Sequence, residues 1–135
     1  MEDLYVDVQE RAKQLLYRLM KIQDIPLLKY TFSFFFDYYV SENEIMVLPH
    51  HFSGRKIEGL TVIDELGVSI SYEQENPVTK QNFTLCHELG HFLLKHEGGY
   101  FAESVDNQDS KIEREANIFS AFILMPDIVL LSKIY

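Results

Sequence analysis

Residues 82–97 read Asn-Phe-Thr-Leu-Cys-His-Glu-Leu-Gly-His-Phe-Leu-Leu-Lys-His-Glu. Apolar residues recur at helical spacing from about Asn82 to Lys95, and Gly98-Gly99 supply a stop, so the stretch predicts a helix. Inside it, His87-Glu88-Leu89-Gly90-His91 forms an H-E-x-x-H sequence. Residues four apart on a helix lie about 40° from alignment and about 6 Å apart along the axis, so both imidazoles can meet one cation. Zinc suits imidazole nitrogen, and a catalytic zinc takes three protein ligands while keeping a position for water. Glu88 adjoins the first histidine, where its carboxylate can act on that water as general base. A shuffled chain of this composition would carry the pattern about 0.02 times, so chance explains it poorly. The bland alternative is a pair of helix histidines exposed to solvent or satisfied by carbonyls.

A third ligand must come from elsewhere. The extended pattern H-E-x-x-H-x-x-G-x-x-H fails, because Leu94 stands where it needs glycine and Glu97 where it needs histidine. An acidic ligand from a later helix remains, and Ser110 to Met125 has helical spacing with two acidic candidates, Glu113 and Glu115. They point about 200° apart, so they are not interchangeable. Glu113 shares its face with Ala116, Asn117, Ser120 and Leu124, mostly small residues that permit a close helix approach; Glu115 leads toward Ile118, Phe119 and Phe122. Ser110-x-x-Glu113 also reads as a capping box, in which the carboxylate only satisfies the helix start. Spacing alone leaves the ligand and cap readings of Glu113 both open.

Outward from these helices the chain reads as an α+β domain. Leu4, Val8, Leu15, Leu16, Leu19, Met20 and Ile22 predict a first helix ending near Gln23, with Pro26 beyond it. Tyr30 to Val40, aromatic and β-branched, reads as a strand; its Phe32 to Phe36 stretch suits core packing better than a substrate groove. Ile45 to Leu48 reads as a short strand closed by Pro49. Leu60 to Ile63 and Val68 to Tyr72 flank Asp64-Glu65-Leu66-Gly67, a hairpin turn with glycine for positive φ. These strands predict a small antiparallel sheet, and the helix of His87 and His91 is expected to pack against the later helix that carries Glu113. Phe101 to Asp109 reads as a polar loop, and Asp127 to Tyr135 as one more helical segment.

The stretches FTLCHELGHFLLKH and EREANIFSAFILMP, spanning Phe83 to Pro126, resemble the ImmA/IrrE family of zinc metallopeptidases. That resemblance implies Glu113 as the third zinc ligand beside His87 and His91, with Glu88 as the catalytic base. Cys86 and Ser120 depart from the family's usual alanines, but both are small. Members of the family cleave DNA-binding repressors, which implies a phage-type or mobile-element repressor as the protein substrate. The alternative is a non-catalytic zinc-fold module that sequesters a repressor, disfavoured only by the intact Glu88. Asn117, one turn after Glu113, is read equally as a hydrogen-bond partner of a liganding histidine and as a packing residue. Cys86 lies about 100° from His87 and reads as core rather than a fourth ligand. His50 and His51 read as surface residues, and His96 as a cation at a helix C-terminus. Tyr72 is one of several tyrosines able to donate to a transition state.

Composition frames the site. A chain of 135 residues fits one domain, 1–135, without disulfide staples. Twelve basic residues against 21 acidic give a charge of −9, which repels nucleic-acid phosphates. One cysteine, no secretory leader pattern and no long apolar run lead to the expectation of a cytoplasmic protein with no membrane segment. Oligomeric state is not legible.

Overall fold

The first helix owes its position to one stripe of side chains. Val8, Ala12, Leu16 and Leu19 recur every three or four residues of α1 (Glu2–Gln23), and all are fully buried. The computed structural model describes residues 2–51, 57–94, 100–104 and 111–125. Helix α1 ends where Asp24 takes φ 51° and the Ile25 amide reaches back to the Met20 carbonyl at 3.1 Å, a left-handed cap that closes the final turn. A short 3₁₀ turn at Leu27–Lys29 follows.

The strand expected over Tyr30 to Val40 is instead a helix, α2 (Phe32–Glu42). Phe35, Phe36 and Tyr39 are buried while Ser33, Phe34 and Asp37 are exposed, a period that only a helix produces. The β propensity of the aromatic residues gives way to packing: Phe35 meets Tyr39 at 4.7 Å between ring centroids and Phe119 at 6.0 Å. Tyr39 donates its hydroxyl to the Leu15 carbonyl at 2.5 Å, so the aromatic helix is tied to α1 by a polar tip as well as by area. It ends with a second left-handed cap, Glu44 at φ 52°, with the buried Ile45 amide bonded to the Val40 carbonyl at 2.9 Å.

Among the described residues, four strands form one sheet in the order β1-β3-β2-β4: β1 (Met46–His50), β2 (Ile57–Asp64), β3 (Gly67–Glu73) and β4 (Tyr100–Ser104). The expected hairpin is β2–β3, with Asp64 opposite Gly67, which has φ 127°. The Asp64 carboxylate accepts the Leu66 amide at 2.9 Å and so tightens the turn. Strand β4 also pairs antiparallel to β2, whereas β1 lies parallel to β3, so the sheet is mixed. Strand β1 runs through Pro49, which an edge strand tolerates because a missing N–H can face away from the ladder. The loop expected from Phe101 begins as strand β4; the rest of that loop, the expected terminal helix after Asp127, and His96 lie outside the described residues.

Helix α3 (Val78–Leu93) starts four residues before the apolar pattern announced it and packs on β2 and β3. Helix α4 (Lys111–Leu124) lies against α3 and α1. One apolar cluster joins Val8 and Leu16 of α1, Phe35 of α2, Ile70 of β3, Leu89 of α3, and Phe119 and Ile123 of α4. Tyr30, buried beside it, donates to the Ile123 carbonyl at 2.7 Å, and burial pushes its phenol well above the ordinary range. No described helix is long and apolar enough to cross a membrane.

Candidate metal centre

Helix α3 buries Thr84 and, over most of its second half, Cys86, His87, Glu88, Leu89, Gly90 and His91. Burying two imidazoles and a carboxylate is costly unless each finds a partner, so their neighbours define the site. The ring centroids of His87 and His91 stand 4.9 Å apart and nearly perpendicular. Glu113, on the first turn of α4, faces both: its Oε2 lies 2.7 Å from His87 Nε2 and its Oε1 3.2 Å from His91 Nε2. One donor atom from each of the three residues lies within 4.8 Å of the others.

Three small residues, Gly90, Ala116 and Ser120, make this convergence possible. Gly90 faces α4 so closely that a Cβ there would stand 2.9 Å from Phe119 Cδ1. On α4, Ala116 and Ser120 are both buried, and the Ser120 hydroxyl turns back onto the Ala116 carbonyl at 2.9 Å. From the small face predicted for Glu113, Glu113 meets His87 and His91 and Ser120 meets Cys86, while Glu115 is only half-buried. The capping partner proposed for Glu113, Ser110, lies outside the described residues.

The donor set fits a metal ion. Two nitrogen donors and one oxygen donor converge in a place sheltered from water, and a cation between them would offset the desolvation of the carboxylate. Cys86 is not among these donors; burial raises its thiol pKa, opposed in part by a hydrogen bond with Ser120, and such a thiol is inert packing. His50 and His51 lie at the end of β1, where His50 Nε2 is 3.3 Å from the Ile57 carbonyl and His51 Nδ1 is 3.2 Å from Glu73 Oε2. Neither belongs to the triad of His87, His91 and Glu113.

Residues 40–135 match the peptidase family described as the IrrE N-terminal-like domain. The chain belongs to that family. The IrrE N-terminal-like match spans everything from the end of α2 onward, and so includes both helices of the triad. It supports a metallopeptidase acting on protein. No curated protein matches the chain significantly.

Sequence reasoning missed two residues that touch Glu88. Thr61 on β2 is fully buried, and its hydroxyl lies 2.5 Å from Glu88 Oε1. Gly59, two positions earlier, leaves the gap occupied by the Glu88 side chain. An isolated glycine in a strand is a known mark of close approach, and that was the available signal.

Proposed function

We propose that this IrrE-type domain is a zinc metalloendopeptidase in which His87, His91 and Glu113 hold the ion and Glu88 is the general base. The observation that carries the reading is the buried convergence of two imidazoles and one carboxylate from two helices, with Glu88 on the same helix as both histidines. Zinc, when bound, supplies Lewis acidity toward a carbonyl and lowers the pKa of water to about 7. Glu88 takes the proton from the attacking water and delivers it to the amine leaving group, so one carboxyl group serves first as base and then as acid. Its burial keeps competing water away from that proton.

The substrate reading rests on the resemblance to the ImmA/IrrE family: a DNA-binding repressor of a phage or mobile element, cleaved in the cytoplasm to relieve repression. A charge of −9 suits a basic partner of that kind. The apolar cluster shared from α1 to α4 supports treating 1–135 as one domain.

The test mixes the protein with phage-type repressors, starting with any encoded beside its gene, and compares wild type with Glu88→Gln. Fragments from wild type and at least about a 100-fold slower cleavage by the variant are expected. An intact repressor held in a stable complex by both proteins would instead identify a sequestering module.

A further inference from the structure

Strand β2 turns Gly59 and Thr61 to the same side of the sheet, toward α3. The Thr61 hydroxyl touches one residue twice, lying 2.5 Å from Glu88 Oε1 and 3.2 Å from the Glu88 carbonyl. A hydroxyl has one proton to give, and an ionised carboxylate oxygen is the stronger acceptor. Beneath the same side chain, a Cβ on Gly59 would stand 3.0 Å from Glu88 Cγ, 3.1 Å from Glu88 Oε2 and 2.5 Å from Thr84 Cγ2. Glu88 therefore lies in a slot whose floor is Gly59 and whose wall is Thr61.

A glutamate side chain is flexible, and a base that transfers protons efficiently must present its carboxylate in one orientation. Helix α3 fixes only the Cα and Cβ of Glu88. The strand fixes more, because a threonine's χ1 is stiff and Thr61 is wholly buried. We propose that Thr61 is a positioning residue for Glu88, holding Oε1 against β2 so that the carboxylate keeps one rotamer through the proton transfer. The proposal rests on Glu88 being the general base. It extends the working site from the two helices to the sheet, and it gives β2 a role beyond pairing.

The test compares Thr61→Val, nearly the same shape without the hydroxyl, with Thr61→Ser, which keeps the hydroxyl. The full chain is loaded with zinc, and wild type is first given a proteome-derived peptide mixture; one synthetic peptide spanning an observed cut then serves for kinetics. Thr61→Val should keep its zinc content and melting temperature and an unchanged KM, while kcat falls about 10–100-fold. Thr61→Ser should recover most of that loss. Crystals of Thr61→Val should show Glu88 in a different rotamer or in several, and those of Thr61→Ser should not.

Wild-type turnover in Thr61→Val, or a loss matched by lost zinc or lost folding, would overturn the positioning role. So would an unmoved Glu88 in the Thr61→Val crystals, whatever the kinetics. A wild-type chain that cuts no better than Glu88→Gln is a separate outcome, which sinks the base assignment itself.

Discussion

Glu113 and Glu115 stand two residues apart on α4, yet one is 5 % exposed against both imidazoles and the other is half-buried elsewhere. Their removal should therefore have unequal effects. Glu113→Ala takes away one of three donors, so zinc affinity should fall by more than the roughly 10–100-fold typical for loss of an outer hydrogen-bonding partner. Glu115→Ala should leave affinity unchanged. Competition with a chromogenic chelator reads both; the opposite ranking would reassign the ligand. The residue scale is also where the sequence was most legible. The spacing of His87 and His91 is set by the helix repeat and admits one geometry. Thr61 could not be singled out, because a threonine in a strand is ordinary and its hydrogen bond to Glu88 spans 27 positions of sequence.

Helix ends carry the next prediction. Glu44 is exposed and held at φ 52°, a conformation that costs most side chains energy and glycine almost none. Glu44→Gly should raise stability by about 0.5–1 kcal/mol, read as a higher urea midpoint with an unchanged slope; a lower midpoint would show that the glutamate side chain contributes something the cap geometry does not. The same region shows why the fold was only partly legible. Phe32, Phe35, Phe36 and Tyr39 lie on a helical face, but Phe34 and Tyr38 fill the intervening positions with equally apolar rings, which hides the period. Strand β4 was hidden for a different reason. Among the described residues it pairs with β2 alone, and an edge strand needs backbone partners more than an apolar composition. The hairpin needed neither kind of inference, since Gly67 and the flanking alternation announce it.

Across the whole molecule, α3 is tied down at both ends. Arg11 of α1 donates to the Leu94 carbonyl at 2.7 Å just past its last turn. At its start, Glu58 of β2 accepts from Asn76 at 2.5 Å and from Lys80 at 3.1 Å. The Asn76 hydrogen bond is the main reason the Glu58 carboxyl pKa is lowered, with Lys80 adding to it against partial burial. A carboxylate lowered in the folded state stabilises fully above its unfolded pKa, and that contribution is lost as pH falls through the folded value. Wild type should thus exceed Glu58→Gln by about 0.5–1 kcal/mol at neutral pH, and the gap should close as pH drops below about 4. Urea titrations at several pH values check it; a gap independent of pH would mean that shape, not charge, joins β2 to α3.

The strand order β1-β3-β2-β4 places neighbours of the sheet far apart along the chain. As the protein emerges from a ribosome, β1 must wait for β3, made after β2, before it has a partner, and β4 reaches β2 only once all of α3 has been made. The hairpin of β2 and β3 is the one part of the sheet that can form from adjacent sequence, so it becomes the template on which both outer strands dock. The slot for Glu88 is built on that template, and half of it therefore exists before the helix of His87 and His91 has been synthesised.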